Sequence, residues 1–337
     1  MPSVNKAGHE TYVQRYCSLF PGNLLEACRV GVYEHSGVAR DLLVEVLQAL
    51  GAEVVRLLGR SEAFIPVDTE AIRSEDVELA RLWVVEHKLD AVVSTDGDAD
   101  GPLVSDENGV WLRGDIAGIL TAQYLNARAV VTPVSSNTAV ELCSAFDQVK
   151  RTRIGSPYVI AGMQQAMQDF SNGVVGYEAN GGFLQATPIT LFDHELSPLP
   201  TRDALIVIIS VLAQSWEKDI SVSELVATLP NRYTHSDRIK AFPNALSRKI
   251  IRQLSTGDPG DDAETFSRLF GDYFDDVISV DHTDGVRIAF KNNEIVLFAP
   301  PVMRQNYAAI PRLTVQSRLW KSAGYACLSW RDGKVST

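Results

Sequence analysis

The sequence is short of cysteine, with 4, and short of basic residues, with 31 Lys+Arg against 42 Asp+Glu and a formal net charge of -11. Each shortage excludes something. Cys17, Cys28, Cys143 and Cys327 are scattered, with no Cys-x-x-Cys spacing and no histidine in metal-site register. Neither a disulfide scaffold nor a zinc site is expected; reduced thiols of a cytoplasmic protein are. The acidic balance argues against a surface that neutralises phosphate backbones or anionic lipid, so nucleic acid and membrane are set aside as partners. No apolar run is long enough to span a bilayer: the most apolar stretch, Ala204–Ala213, is half the roughly 20 residues required and reads as a buried helix. Met1–Lys6 has no apolar segment of the kind that opens a secretory signal.

What is present is an ordinary globular balance. The chain has 337 residues, 45% hydrophobic and 22% charged, enough for two or three domains with real cores. From Cys28 onward, short apolar runs alternate with helical patterns. Arg29–Tyr33, Glu53–Leu58 and Asp90–Thr95 read as strands, with helices over Val38–Leu50, Ser74–Lys88 and Asp115–Leu125. Ser74-Glu75-Asp76-Val77 resembles a capping box without its full partner set. A second series follows: strands at Ala129–Val134, Val149–Thr152 and Gly173–Tyr177, helices at Asn137–Phe146, Pro157–Phe170, Arg202–Ser215 and Val222–Leu229. This alternation predicts largely parallel sheets whose functional loops lie at strand carboxyl ends. Composition turns polar over Asn231–Pro243, where a boundary is expected. Beyond it, a helix at Phe266–Phe274 and strands at Val277–Val280, Val286–Phe290 and Ile295–Phe298, joined by Asp284-Gly285 and Asn292-Asn293, predict a small α+β domain. From Ala299 the periodicity fails.

The chemistry concentrates in two loops. Asp96, Asp98 and Asp100 alternate just after a buried strand, and three carboxylates so close repel one another unless a hard cation such as Mg²⁺ or Ca²⁺ sits among them. Asp96, Asp98, Asp100, Gly101 and Glu107 also satisfy the EF-hand pattern. An EF-hand needs a helix on each side, whereas Asp90–Thr95 is a strand and Pro102 with Asn108-Gly109 fits a strand-turn-strand course, so the match is coincidental. The second loop is Glu178-Ala179-Asn180-Gly181-Gly182, again at a strand end. His35-Ser36 reads as a loop contact, and Ser135-Ser136 as a substrate contact or a cap for the helix from Asn137. His9, His87, His194, His235 and His282 lack ligand spacing, and Arg238 with Lys240 is an ordinary basic pair.

Three blocks carry a resemblance: Thr95-Asp96-Gly97-Asp98-Ala99-Asp100, Thr152-Arg153-Ile154-Gly155-Ser156-Pro157-Tyr158-Val159, and Gly176-Tyr177-Glu178-Ala179-Asn180-Gly181-Gly182-Phe183. In content and order they resemble the α-D-phosphohexomutases, within them the bacterial phosphomannomutase and phosphoglucomutase group, over about Tyr12–Leu297. The resemblance implies two tandem phosphohexomutase-type α/β domains, 12–127 with the metal loop and 128–232 with the sugar loop, then the remnant of a C-terminal α+β domain at 244–298. It implies Mg²⁺ held by Asp96, Asp98 and Asp100, sugar hydroxyls gripped by Glu178 and Asn180, and a loop at Gly155 and Ser156 that distinguishes sugar orientations. The implied reaction moves phosphate between the 6- and 1-positions of a mannose or glucose phosphate. A phosphoserine donates, through a bisphosphate intermediate, and catalysis is mostly positioning and charge neutralisation.

The sequence departs from that pattern in three places. The Ser-His-Asn loop of a preceding phosphoserine domain has no counterpart, so no catalytic residue is assigned and a separately encoded N-terminal fragment becomes a candidate partner. Gly101 stands where the metal loop ordinarily continues with Arg. Leu297 is not followed by the Arg-Pro-Ser-Gly phosphate clamp. Read from the third base of each codon, however, the stretch across Phe298 and Ala299 permits Arg-Pro-Ser-Gly-Asn-Ala-Pro-Glu-Leu-Arg, with Leu forced across Asn306 and Tyr307. Residues 299–337 are therefore expected to be out-of-frame translation, poorly ordered, with Trp320 and Trp330 exposed or loosely docked. In keeping, that stretch holds six Lys+Arg and Asp332 as its one acid. The expectation is a phosphomannomutase-like protein impaired in catalysis, the alternative a non-catalytic remnant that binds a divalent cation or sugar phosphate.

Overall fold

Arg29–Tyr33 (β1) and Ala91–Thr95 (β3) are the most continuous apolar strands of the N-terminal half, and both are buried almost throughout, as strands covered on two faces must be. The computed structural model, which describes residues 5–238, 252, 254–292, 294–299 and 312–317, places them at the centre of a sheet ordered β2-β1-β3-β4. Here β2 is Glu53–Leu58 and β4 is Pro102–Val104. β1 runs parallel to β2 and β3, while β4 returns antiparallel, with Thr95 opposite Pro102. The strand from Pro102, the Asn108-Gly109 turn with Gly109 at φ 72° and the antiparallel bridge from Ser105 to Trp111 form the strand-turn-strand course expected against an EF-hand. Helices α1 (Lys6–Cys17), α2 (Arg40–Ala49) and α3 (Ser74–His87) accompany this sheet. The start of α3 departs from the capping-box reading. Arg73 is its N-cap residue and makes no side-chain cap; instead its guanidinium grips the buried Asp76 carboxylate at 2.7 and 2.6 Å.

The second series builds a sheet of the same plan, ordered β6-β5-β7-β8, from Ala129–Pro133 (β5), Gln148–Thr152 (β6), Val174–Tyr177 (β7) and Phe183–Gln185 (β8). β7 is parallel to β5, and β8 returns antiparallel. The order repeats that of the first sheet position for position. Its helices are α4 (Gly114–Tyr124), α5 (Ala139–Leu142), α6 (Ser156–Ala166), α7 (Ala204–Glu217) and α8 (Val222–Ala227), and a hairpin of Ile189–Leu191 (β9) and His194–Leu196 (β10) lies between β8 and α7. The helix expected over Asn137–Phe146 shrinks to α5. Asn137 spends its amide on the Arg232 carbonyl and the Thr234 hydroxyl, and Ser144 leaves the helix in the left-handed region at φ 51°.

α7 explains how the two sheets share a core. Every residue from Ala204 to Ser215 is buried, the pattern of a helix enclosed on all sides. It packs beside α4, with the Gln214 amide donating to the Leu120 carbonyl at 3.2 Å. α4 in turn presses on β7 so closely that a Cβ at Gly118 would lie 2.6 Å from the Tyr177 ring. One apolar core runs through residues from Val13 to Leu229. Accordingly both sheets belong to one compact unit, Met1–Thr132, Ala139–Arg151 and Gly155–Pro230; the other comprises Pro133–Thr138, Thr152–Ile154 and Asn231–Thr337.

That other unit holds a sheet ordered β11-β15-β14-β13-β12: Tyr233–Arg238 (β11), Val277–Asp281 (β12), Val286–Phe290 (β13), Ile295–Ala299 (β14) and Arg312–Ser317 (β15). Helix α9 (Pro259–Phe270) supplies Phe266 to a core with Phe274, Phe290, Ile288 and Val296. The Asp284-Gly285 turn is formed, with Gly285 at φ 78°. Two strands enlarge this unit beyond the expected 244–298: β11 lies in the stretch read as a polar boundary, and β15 in the stretch read as aperiodic, pairing with β11 and β14. Lys240, Trp320, Trp330 and Cys327 lie outside the described residues. Among those described, no helix is long and apolar enough to cross a membrane, and Cys17, Cys28 and Cys143 are free thiols.

Candidate functional site

The two polar loops occupy equivalent places in the twinned sheets. In the first, the chain leaves β3 through Asp96–Gly101 into β4; in the second, it leaves β7 through Glu178–Gly182 into β8. Both are strand carboxyl ends, where open α/β sheets keep their binding loops.

The acidic loop is curled by its own backbone. Asp96 Oδ1 accepts the N–H groups of Asp100 at 3.1 Å and Gly101 at 2.9 Å, and the Asp96 N–H donates to the Gly101 carbonyl at 2.9 Å. Ala99 turns the chain in the left-handed region at φ 66°, which costs an L-residue about 1–2 kcal/mol. The result is that one oxygen from each of Asp96, Asp98 and Asp100 lies within 4.8 Å of the others. Asp96 and Asp100 are half-buried and Asp98 is exposed. Burial raises both inner carboxyls, and the neighbouring acids add to it. At Asp96 the two backbone N–H groups oppose the rise; Asp100 is pushed up to about 6 although Arg202 pulls the other way. Three hard oxygen donors clustered this closely are the donor set that Mg²⁺ takes.

A second loop backs the first. The Val38 N–H donates to the Gly97 carbonyl at 3.2 Å. His35, fully buried at φ 24°, places Nε2 2.8 Å from the Thr95 carbonyl. Since a carbonyl only accepts, Nε2 carries the proton. Burial lowers the pKa of this ring and favours the neutral form; its Nδ1 has no partner. The loop-contact reading of His35 therefore holds.

At Gly101 the structure explains why a side chain is missing. A Cβ there would lie 2.9 Å from Asp96 Oδ2 and 2.9 Å from the hydroxyl of the buried Thr69. Thr69 fills the space that a side chain at 101 would need.

The other loop is equally tight. The Glu178 N–H donates to the Gly182 carbonyl at 3.1 Å, and the Gly181 N–H to the Glu178 carbonyl at 2.9 Å. Asn180 Oδ1 accepts the Gly182 N–H at 2.9 Å. Glu178 and Asn180 are 8% and 7% exposed, so neither is a solvated surface group. The Ser156 hydroxyl donates to Glu178 Oε1 at 2.6 Å, joining the pair expected at Gly155 and Ser156 to the pair expected at Glu178 and Asn180. Gly155 sits at φ 124°, a conformation in which a side chain is strained even in open space. The Ser135 hydroxyl, by contrast, has no hydrogen-bond partner, and α5 begins three residues beyond Ser136, at Ala139.

The acidic loop and the Glu178 loop adjoin. A Cβ at Gly181 would lie 2.9 Å from Pro102 Cγ, and the Arg202 guanidinium contacts the Asp100 carboxylate. A Cβ at Gly114 would lie 2.2 Å from the Gly181 nitrogen, so the start of α4 is pressed against the Glu178 loop. Arg202, Thr69 and Gly114 escaped the reading of the sequence. Arg202 alone had a signal: it directly precedes Asp203, the side-chain N-cap of the most apolar helix.

Twinned sheets carrying these loops define α/β/α domains of the sugar-phosphate mutase type. Residues 12–109 match the family described as phosphoglucomutase/phosphomannomutase, alpha/beta/alpha domain II, and residues 113–233 match domain III of the same family. The chain belongs to the α-D-phosphohexomutase family. It is 43% identical over 298 residues to a phosphomannomutase of Salmonella muenchen, covering 88% of this chain and 60% of that protein. A phosphomannomutase of Sinorhizobium fredii is 39% identical over 289 residues, with coverage of 86% and 59%. Among solved structures, a phosphoglucomutase/phosphomannomutase family protein from Burkholderia thailandensis superposes with a TM-score of 0.69 at 17% identity, covering 96% of this chain and 65% of that one. An Aspergillus fumigatus N-acetylphosphoglucosamine mutase, in complex with GlcNAc-6P and magnesium, does so with a TM-score of 0.55 at 15% identity, covering 94% and 64%. At those identities the likeness is one of fold. The chain spans about 60% of the length of these phosphomannomutases.

Proposed function

We propose that this chain carries the cation-binding and sugar-binding domains of a hexose phosphate mutase of the phosphomannomutase kind, and that by itself it binds without turning over. The observation that supports this most is the adjacency, within one compact unit, of the Asp96–Asp98–Asp100 cluster and the buried Glu178 with its Ser156 partner. In this reading Asp96, Asp98 and Asp100 hold Mg²⁺, which when bound neutralises charge on a phosphoryl group. Glu178 and Asn180 orient sugar hydroxyls, and Gly155 with Ser156 fixes Glu178 and the shape of the loop beside it. Positioning and charge neutralisation are most of what phosphoryl transfer asks of a protein. The donor serine is the missing part: no residue of this chain stands in a Ser-His-Asn loop, and a separately encoded fragment bearing one is the partner this reading requires for turnover.

The assay is turnover of mannose 6-phosphate or mannose 1-phosphate with Mg²⁺ and a hexose bisphosphate activator. No turnover, together with measurable binding of Mg²⁺ or mannose phosphate, is the expected outcome. Turnover by the chain alone that Asp98→Asn abolishes would overturn the proposed inactivity while keeping the site. Absence of both turnover and binding would overturn the site.

A further inference from the structure

We infer that Arg202 is a built-in competitor for the cation at Asp100, and that a bound cation releases its guanidinium to hold an anionic oxygen of the ligand. The inference rests on the reading of the acidic cluster as a cation site and deepens it. Three observations carry it.

The first is the contact itself. Arg202 Nη2 meets Asp100 Oδ2, and Asp100 supplies one of the three carboxylates of the cluster. A metal ion and a guanidinium cannot both neutralise that oxygen at close range without repelling each other. The side chains are 31% and 24% exposed, so the pair is reached by solvent and can be parted by an incoming ion rather than being sealed in the core.

The second is that Arg202 is delivered by a rigid mount. Asp203 caps α7 by accepting the N–H groups of Leu205 and Ile206 at 3.2 and 3.3 Å. Its carboxylate also takes the hydroxyls of Tyr12, at 2.7 Å, and of Tyr16, and its own N–H donates to the Phe183 carbonyl at 2.9 Å. The backbone next to Arg202 is therefore tied to α1, to β8 and to the buried helix. When the guanidinium leaves Asp100, the movement is confined to side-chain rotamers.

The third is where the stem runs. A Cβ at Gly182 would lie 2.6 Å from Arg202 Cδ and 3.1 Å from Cγ, so the arginine stem lies over the end of the Glu178 loop on its way to the acidic loop. A released guanidinium stays between the two loops. There, a planar fork of donors suits a phosphoryl group, which accepts bidentate hydrogen bonds from arginine more readily than from any other side chain. The acidic loop has no cation of its own to offer, because position 101 is glycine and Thr69 fills the space beside it.

The test is a pair of titrations on the full chain with Mn²⁺ as the probe ion, followed by paramagnetic resonance of the free ion, and mannose 1-phosphate as the anionic ligand, followed by calorimetry at saturating Mn²⁺. Arg202→Gln removes the competitor and the fork together, so Mn²⁺ should bind about fivefold more tightly than to wild type, while mannose 1-phosphate should bind about tenfold more weakly. A residue that merely props up the site would move both affinities downward. Arg202→Lys keeps the stem and the charge but not the fork, and should show the same two signs at smaller amplitude. It carries the test if the glutamine variant does not fold, which thermal denaturation checks. Mn²⁺ binding by wild type and both variants with equal affinity would overturn this inference alone. Failure of wild type and variants alike to bind Mn²⁺ would overturn the cation reading beneath it.

Discussion

A single methyl group at position 114 should uncouple fold from site. Gly114 opens α4 and is buried, and a Cβ there would lie 2.2 Å from the Gly181 nitrogen, 2.3 Å from the Asn180 carbonyl carbon and 2.7 Å from the Ala179 oxygen. All three are backbone atoms, so no rotamer change relieves the overlap. Each separation is well short of the ordinary non-bonded contact of about 4 Å, and either the helix start or the Glu178 loop must retreat. Overpacking of this kind costs about 3 kcal/mol at the upper end of its usual range. Alanine is favoured over glycine inside a helix by about 1 kcal/mol. Gly114→Ala should therefore be destabilised by about 2 kcal/mol, a fall of about 4–8 °C in Tm for a unit of this size. Mannose 1-phosphate binding should weaken further than stability alone explains, because the loop that gives way holds Glu178 and Asn180. Gly8→Ala is the control: Gly8 is exposed in α1 and the nearest atoms to its Cβ would be those of the exposed Asn5 side chain, at 3.1 Å, which caps α1 through the Gly8 N–H but can shift, so that variant should stay within about 1 kcal/mol of wild type. Urea denaturation of the two variants side by side decides the matter. A Gly114→Ala protein as stable as wild type would refute the close approach on which this reasoning depends.

Other perturbations have definite outcomes. Asp203→Ala removes a helix cap and the acceptor of the buried Tyr16 and part-buried Tyr12 hydroxyls; from about 1 kcal/mol for the cap, about 1 for the Tyr16 hydroxyl and less for that of Tyr12, a loss of about 2–3 kcal/mol is expected in equilibrium unfolding. In the C-terminal unit, burial pushes the Asp262 carboxyl up, but bonds from Ser255, the Thr256 backbone and His282 outweigh it and leave the group below the usual carboxylate range. A carboxylate depressed on folding stabilises above its unfolded pKa and loses that contribution as pH falls through the folded value. Asp262→Asn should thus be least stable relative to wild type near pH 7, with the gap closing below about pH 4; a gap that widens on acidification would contradict the assignment. Finally, the frameshift proposed for residues 299–337 is settled by the gene: codons that cannot yield Arg-Pro-Ser-Gly in the shifted frame across Phe298 and Ala299 would end it.

Much of this architecture was legible because parallel strands buried on two faces, as β1, β3, β5 and β7 are, must be continuously apolar, and because β13 alternates buried with half-buried residues between tight-turn signals. β1, β2 and β13 fall on the residues expected, and β3, β5 and β7 within one residue of them. The short antiparallel strand β8 was not seen, since three residues contain too little alternation to register, and β4 was read only as a strand course from Pro102, without bounds. α5 was overextended because the use of the Asn137 amide is a tertiary matter that periodicity does not encode. The acidic loop was visible as local chemistry, three carboxylates in five residues. The Ser156–Glu178 bond was not, because it joins positions 22 residues apart, although both residues were singled out. Arg202 was missed for the same reason: its partner is Asp100, and only the fold brings the two loops together.

The proposed function requires that Asp96, Asp98 and Asp100 bind a cation in this chain. Titration of the purified protein with Mn²⁺, reading the free ion by paramagnetic resonance, measures it without any need for turnover. Wild type should bind one ion per chain, and Asp98→Asn, which alters the exposed member of the cluster and disturbs no described hydrogen bond, should bind at least tenfold more weakly at an unchanged melting temperature. Equal binding by the two proteins, or no binding by wild type, would contradict the claim.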